Sequence, residues 1–275
     1  MKVKCGICPR GCELAEGQYG FCRGRRNEGG TVVCANYGRL TALALDPIEK
    51  KPLAMFYPGS KILSCGSYGC NLACPYCQNC EISMADAGNA RTAYFPPEAL
   101  VDKALELVPA GNIGIAYTYN EPLISFEYVL ACSKLAHEHG LKNVLVTNGY
   151  VCEGPLSELL PFTDAMNIDL KGFSARFYGM VGGRLEDVER TITLSAAKCH
   201  VEITTLVIPG ENDSADEMAA LSEWLAGVSP DIPLHLTRFF PRYRFSDREP
   251  TPVSELRGLA DIARQKLRHV FIGNC

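Results

Sequence analysis

The chain has 275 residues, of which 47% are hydrophobic and 21% are charged, a composition typical of globular proteins. Its formal net charge of −4 argues against nucleic-acid binding by the chain as a whole. No apolar run approaches the ~18 residues that a membrane-spanning helix needs. The first ten residues are polar and include two cysteines, so no signal peptide is expected and a cytoplasmic location is predicted.

Residues 1–60 contain many glycines and prolines and show little periodicity. This pattern indicates a small Cys-rich metal-binding segment, followed by a connecting stretch, here called the lead-in, before the rest of the chain. From residue 61 to residue 275, apolar strand-like runs alternate with stretches of helical period, a pattern typical of an α/β domain with a parallel sheet. Predicted strands cover residues 61–64, 113–119, 143–147, 165–170, 201–208 and 234–240. Predicted helices cover residues 97–107, 121–139, 155–160, 185–198, 214–226 and 251–267. Six such units fit either an incomplete barrel or a doubly wound sheet.

Cysteine is unusually frequent, with 14 copies. In a chain of this size without a secretion signal, such enrichment indicates metal binding rather than disulfides. Most copies fall into two groups, one near the amino terminus and one directly after the first predicted strand. Polar and turn-forming residues also follow the other predicted strands, at the carboxyl ends where α/β folds place their ligands.

The second group contains Cys70, Cys74 and Cys77 in the pattern C-x3-C-x2-C, here called the cysteine triad. Thiolates are the preferred ligands of iron–sulfur clusters, and three thiolates on four irons leave one iron open for chemistry. A structural zinc site is the alternative, with Cys65 or Cys80 as the fourth ligand. The aromatic Tyr76 before the third cysteine favours the cluster, because its ring could lie beside an adenine.

The triad loop resembles that of the radical S-adenosylmethionine (SAM) superfamily. The wider motifs are similar to the branch related to pyruvate formate-lyase activating enzymes, in particular the AmmeMemoRadiSam-system radical SAM proteins. These motifs lie at residues 46–52, 56, 58–60, 69–71, 77–79 and 117–122, and the resemblance runs from Cys5 to Asn274.

The resemblance implies an α/β fold in the form of a partial (βα)6 TIM-like barrel, with a [4Fe–4S] cluster on the cysteine triad. It implies an oxidoreductase that reductively cleaves SAM to a 5′-deoxyadenosyl radical, which abstracts hydrogen from a substrate. A backbone glycine of a partner protein is one candidate target, as in glycyl-radical activases. An electron donor such as flavodoxin or ferredoxin is implied as a partner.

The resemblance also implies the residues that bind SAM. Asn120 and Glu121 occupy the motif that binds the SAM amino group. Asp169 and Lys171 match a pair that holds the methionine end, and Asn148 matches a Thr-Asn-Gly turn. On the fifth strand, Thr204 and Thr205 stand where activases carry an arginine, and Leu206 is an expected apolar neighbour of the adenine. Tyr76, Asn148 and Thr205 complete the predicted cofactor-binding set.

The first cysteine group, called here the amino-terminal cysteines, comprises Cys5, Cys8, Cys12 and Cys22. Their spacing can close a four-thiolate site, and a loop-rich segment gains much of its folding energy from such a metal. The sequence predicts a second metal here and leaves zinc and an auxiliary iron–sulfur cluster open.

The alternative function is a non-catalytic zinc-stabilised module that binds nucleic acid or protein. Both cysteine groups would then be structural, and a basic cluster would form the contact surface. That cluster contains Arg10, Arg23, Arg25 and Arg26.

Overall fold

The computed structural model describes residues 2–275, which form fourteen strands. The strands are β1 (Val3–Lys4), β2 (Glu13–Leu14), β3 (Arg25–Glu28), β4 (Thr31–Cys34), β5 (Arg39–Leu40), β6 (Ala42–Pro47), β7 (Lys61–Gly66), β8 (Ala93–Tyr94), β9 (Asn112–Tyr117), β10 (Lys142–Thr147), β11 (Ala165–Asp169), β12 (His200–Val207), β13 (Leu234–Arg238) and β14 (Val270–Gly273). Eight of them form the main sheet, in the spatial order β14-β13-β12-β11-β10-β9-β7-β6. All pairs are parallel except β6 with β7.

Eight helices alternate with these strands. They are α1 (Cys80–Ser83), α2 (Pro97–Glu106), α3 (Phe126–Glu138), α4 (Glu153–Leu159), α5 (Ala175–Val181), α6 (Leu185–Ala196), α7 (Ala215–Val228) and α8 (Val253–Ala263). Short 3-10 turns occur at Ile48–Lys50, Val108–Ala110, Pro122–Ser125 and Leu160–Phe162. Within residues 2–275, no helix combines the length and the apolar character needed to cross a bilayer.

The main sheet confirms the expected α/β class and the partial barrel. Its edge strands β14 and β6 are not neighbours, so the barrel stays open. All six predicted strands are present, whereas the two edge strands, β6 and β14, were not predicted from the sequence. Residues 42–47 lie in the segment predicted as a lead-in, yet β6 pairs along its whole length with β7. The division at residue 60 stays a prediction, and the main sheet includes a strand from each side of it.

The two faces of the main sheet bury different side chains. Outward residues such as Ile115, Leu145 and Met166 pack in the large core that also contains residues of the helices. Inward residues of β7, β9, β10 and β11 pack against a second, smaller cluster from the connection between β6 and β7. That connection precedes β7 and therefore lies at the amino ends of the parallel strands. Because it closes the barrel there, we call residues 48–56 the floor segment.

One buried carboxylate attaches the floor segment to the barrel. Glu202 on β12 has no exposed surface and accepts hydrogen bonds from the backbone N–H groups of Ala54 (2.9 Å) and Met55 (2.8 Å). Its oxygens also lie 2.9 Å from Nε2 of His200 and 2.6 Å from Nε2 of His235. The floor is therefore fixed by polar contacts as well as by apolar packing.

Residues 3–34 form short antiparallel hairpins, β1 with β2 and β3 with β4, on the carboxyl side of the barrel. Arg25 joins them to the barrel, since its guanidinium is 4% exposed and donates to both oxygens of Glu127 in α3, at 2.6 and 2.7 Å. Such a two-point contact fixes orientation as well as distance. The Cys-rich segment is thus held against the same end of the barrel as the triad loop.

Candidate active site

The cysteine triad lies in the loop that follows β7, at the carboxyl end of the sheet. Cys74 is buried, and Cys70 and Cys77 are half-buried. Burial raises the pKa of the Cys70 thiol well above its usual value and raises that of Cys74 to about 11. The free thiols of Cys70 and Cys74 therefore hold their protons at neutral pH, and a metal bound here would displace these protons.

Asn120 and Asn148 hold the triad loop from the two next strands. The side chain of Asn120 accepts from the Ser67 N–H (2.9 Å) and donates to the Gly69 carbonyl (3.0 Å), which fixes the segment leading to Cys70. Nδ2 of Asn148 lies 3.6 Å from Sγ of Cys70. The structure thus places both predicted asparagines in contact with the loop.

Glu121 lies beside Asn148, as expected for residues that share one site. Its carboxylate is 3% exposed and accepts from the Asn148 N–H (2.8 Å), the Thr147 hydroxyl (2.7 Å) and the Leu123 N–H (3.0 Å). Burial raises the pKa of Glu121 to about 7, although these hydrogen bonds oppose the shift. The contact to Leu123 caps the 3-10 turn that follows, so part of the role of this carboxylate is structural.

Asp169 and Lys171 form an ion pair at the end of β11, with 2.7 Å between Oδ2 and Nζ. Burial disfavours the Lys171 ammonium, but Asp169 and the thiolate forms of Cys74 and Cys70 outweigh it and raise the pKa of Lys171 above its ordinary value. The side chain therefore stays cationic. It supplies a positive charge next to the triad, which suits an anionic group bound there.

Tyr76 is buried, with ring centroids of Phe177 and Phe245 each 6.0 Å away. Its hydroxyl lies next to the Cys74 thiol, which is the nearest acceptor, although the two do not form a well-aligned hydrogen bond. The ring is thus packed like a core residue, and its polar end faces the triad.

The two predicted residues on β12 do not share one face. Asp169 is in register with Thr204, and side chains alternate along a strand, so Thr204 and Leu206 face the barrel interior. Thr205 faces the other way, and its hydroxyl donates to the Leu170 carbonyl at 2.8 Å. The sequence could not distinguish the two adjacent threonines, because their faces depend on the register with β11.

The amino-terminal cysteines line one cavity, next to the triad loop. Cys5, Cys8 and Cys22 are buried and Cys12 is half-buried. The cavity is also lined by Ile7, Arg10, Gly20, Arg25, Asn71 and Ile124. Within residues 2–275, no three His, Cys, Asp or Glu side chains come close enough together to hold a single metal ion. A metal at these cysteines therefore stays a prediction.

Sequence reasoning assigned no role to a buried polar group on the inner face of β6 and β7. Lys51 is 2% exposed, and its Nζ lies 2.8 Å from Oδ2 of Asp46. The Tyr119 hydroxyl donates to the same oxygen at 2.7 Å, and its ring faces the Lys51 ammonium at 4.7 Å. Tyr119 has a φ of +70°, which is uncommon for a tyrosine. This uncommon backbone conformation lies two residues before Glu121, and the hydrogen bond to Asp46 holds the side chain in place.

The sequence profile of the radical SAM superfamily matches residues 65–222. An uncharacterized protein of Methanocaldococcus jannaschii is 40% identical over 99% of this chain and 81% of its own length. The pyruvate formate-lyase-activating enzyme of Clostridium pasteurianum is 26% identical over 58% of this chain and 67% of its own length. A solved domain of pyruvate-formate lyase-activating enzyme from Bacteroides vulgatus has a TM-score of 0.52 at 19% identity, covering 58% of this chain and 99% of that chain.

The matched region makes up more than half of the chain and contains the cysteine triad, Glu121, Asn148, Asp169 and Lys171. The expected similarity to activating enzymes is confirmed by these relatives. On this basis the chain belongs to the radical SAM superfamily.

Proposed function

We propose that this protein is a radical SAM enzyme whose cysteine triad holds a [4Fe–4S] cluster with one open iron for the amino and carboxylate groups of SAM. The observation that carries the proposal is the convergence of three separate elements on the triad loop. Asn148 contacts Cys70, Glu121 contacts Asn148, and the charge of Lys171 acts on the Cys74 and Cys70 thiols. The donor set fits the cluster, because three thiolates on four irons leave a coordination position free.

The chain's own residues would bind and orient the cofactor. When bound, the cluster and SAM would supply an electron and a 5′-deoxyadenosyl radical that abstracts hydrogen from a substrate. Lys171 would offset the carboxylate of SAM, and Glu121 would accept from its ammonium group. Tyr76, whose hydroxyl lies next to Cys74, would line the cofactor site. Leu206, on the inner face of β12, would exclude water on the apolar side of the adenine.

For the substrate we propose a protein or peptide, with a backbone glycine as the leading candidate. Support comes from the relatives named as pyruvate formate-lyase-activating enzymes. The open edge between β14 and β6 is compatible with a bulky substrate that reaches the barrel from the side. A low-potential flavodoxin or ferredoxin would supply the electron. All fourteen cysteines lack disulfide partners, which fits a reducing cytoplasmic location.

We further propose that residues 1–60 form the metal-binding segment and lead-in, and residues 61–275 the catalytic barrel. Support for this division comes from the four thiols of the segment, which line one cavity where it meets Asn71 and Ile124 of the barrel. Zinc and an iron–sulfur cluster both fit the chemistry of four cysteines.

Anaerobic reconstitution with iron and sulfide, followed by reduction and addition of SAM, tests the proposed reaction. The expected products are 5′-deoxyadenosine and methionine. Cys74→Ala should abolish both products and the cluster absorption of the triad. Cys199→Ala is the matched control, because Cys199 lies just before β12, at the opposite end of the barrel. A colourless wild-type protein that contains zinc in the triad loop and leaves SAM intact would contradict the proposal.

A further inference from the structure

We propose that Tyr119 is a positioning residue for SAM. Its phenol is anchored to Asp46 and Lys51 inside the barrel, and this anchor fixes the turn that leads to Glu121. The inference rests on the proposed function, since it presupposes that SAM binds beside the cysteine triad. It assigns a role to an ion pair that lies outside the cofactor-binding set.

The backbone at Tyr119 has a conformation that a tyrosine rarely adopts. The N–H of Asn120 donates to the carbonyl of Thr118 at 3.0 Å, and Tyr119 between them has a φ of +70°. These two features describe a γ-turn with a positive central φ, which is a rare and strained form. Such a turn persists only where its surroundings hold it in place. The side chain of Tyr119 is well placed to do so.

An ion pair anchors that side chain. The Tyr119 hydroxyl donates to Oδ2 of Asp46 at 2.7 Å, and the same oxygen lies 2.8 Å from Nζ of Lys51. Lys51 is 2% exposed, and its ammonium faces the Tyr119 ring at 4.7 Å. Burial alone would raise the pKa of Asp46, but the contacts with Lys51 and Tyr119 outweigh it and lower the pKa to about 2. The acceptor is therefore charged at neutral pH, which strengthens the hydrogen bond that it accepts.

Tyr119 also contacts the triad loop at both of its ends. Its carbonyl accepts from Nδ2 of Asn79 at 2.7 Å, two residues after Cys77. Its side chain packs on Gly66, the last residue of β7, since a Cβ built on Gly66 would lie 2.9 Å from Cβ and Cδ2 of Tyr119. One anchored residue thus borders the whole loop that contains the triad.

The two residues after Tyr119 connect its turn to the cofactor site. The side chain of Asn120 donates to the Gly69 carbonyl at 3.0 Å, and Glu121 accepts from the Asn148 N–H at 2.8 Å. A rotation of the turn would move both side chains, because they follow it directly in the chain. Only molecules with the turn in place would bind SAM well, so loss of the anchor should weaken the apparent affinity.

Hydrogen exchange of the reconstituted protein without SAM measures the anchor itself. Tyr119→Phe keeps the ring but lacks the donor to Asp46, so exchange in residues 117–123 should become about tenfold faster, with no change in β12. Tyr57→Phe is the matched control, because Tyr57 also has a positive φ, +47°, but is 52% exposed and lies near the amino ends of the strands. Unchanged exchange in residues 117–123 of Tyr119→Phe would overturn the inference.

SAM binding and turnover test the positioning role. Tyr119→Phe should raise the Kd and the KM for SAM about tenfold and leave kcat at saturating SAM within about twofold of the wild-type value. A tyrosine that only stabilised the fold would instead lower the amount of active enzyme, and hence the apparent kcat, at an unchanged KM. Tyr119→Gly relaxes the backbone but removes the anchor, so it should bind SAM at least as weakly as Tyr119→Phe. Wild-type affinity in Tyr119→Gly would refute the role of the side chain.

A double-mutant cycle tests whether the effect passes through the ion pair. Asp46→Leu/Lys51→Met removes the acceptor without leaving an unpaired buried charge. It should raise the Kd for SAM by about the same factor as Tyr119→Phe, and the combined variant should show no further rise. Effects that multiply in the combined variant would refute the contact as the cause. Wild-type protein that loads its cluster but neither binds nor cleaves SAM would contradict the proposed function instead, and the exchange experiment distinguishes the two failures.

Discussion

Replacing Glu202 with glutamine should destabilise the barrel floor. The carboxylate accepts from two backbone N–H groups and approaches two histidine nitrogens, with donor–acceptor distances of 2.6 to 2.9 Å. Burial alone would raise the pKa of Glu202, but these hydrogen bonds outweigh it and lower the pKa to about 2. A shift from 4.5 to about 2 corresponds to about 3 kcal/mol of stabilisation of the ionised form. Glutamine keeps one acceptor oxygen and turns an NH₂ group toward the remaining donors.

The expected result is a loss of about 3 kcal/mol in the free energy of unfolding near neutral pH. In a chain of this size, that corresponds to a decrease in Tm of about 6 °C. Because folding lowers the pKa of Glu202, its contribution is complete above pH 4.5 and is lost as the pH falls toward 2. The gap in Tm between the wild-type protein and the variant should therefore become smaller as the pH falls.

Thermal unfolding of anaerobically reconstituted protein, followed by far-UV circular dichroism at several pH values, measures this gap. Glu158→Gln is the control, because Glu158 is exposed in α4. A parental Tm for Glu202→Gln, or a gap that stays constant down to about pH 3, would refute the hydrogen-bond argument.

Three further substitutions test other contacts. Glu121→Gln should weaken SAM binding at pH 8. The affinity of the wild-type protein for SAM should fall as the pH drops through about 7, whereas the affinity of the variant should not change over this range. Calorimetric titration measures both affinities. Gly69→Ala should lower Tm sharply, because its Cβ would lie 2.2 Å from the Cys22 carbonyl oxygen, whereas Gly59→Ala meets no atom within 4 Å. The two glycines have φ values of +87° and +80°, so alanine would be strained to a similar degree at both positions. Equal Tm values for the two variants would therefore contradict the steric reasoning. Arg25→Met should lower the free energy of unfolding by about 2 kcal/mol. The loss should be smaller than for a fully buried ion pair, because the carboxylate partner Glu127 is 42% exposed. Retention of the parental Tm would argue against this contact.

Patterns that are local in sequence predicted much of the fold. The alternation of apolar runs and helical stretches identified the six parallel strands, whereas the cluster role of Cys70, Cys74 and Cys77 stays a prediction from their spacing. The strand β6 escaped detection because its partner β7 runs antiparallel to it, outside the βαβ pattern. The last strand was missed because it is only four residues long.

Contacts between distant residues could not be predicted. Arg25 and Glu127 are 102 positions apart, and no periodicity relates them. The choice between Thr204 and Thr205 depends on the register of β12 against β11, which a single sequence does not specify. The site residues with the clearest sequence signal were therefore those that follow a strand directly.

The tight packing of Gly69 on Cys22 also bears on how the protein matures. The ribosome releases the amino-terminal cysteines before it makes the loop that completes their cavity, since Gly69 and Asn71 come later in the chain. The contacts that hold the amino-terminal cysteines against the barrel can therefore form only after this loop has emerged. A metal proposed for either cysteine group would meet its complete surroundings no earlier than that stage of synthesis.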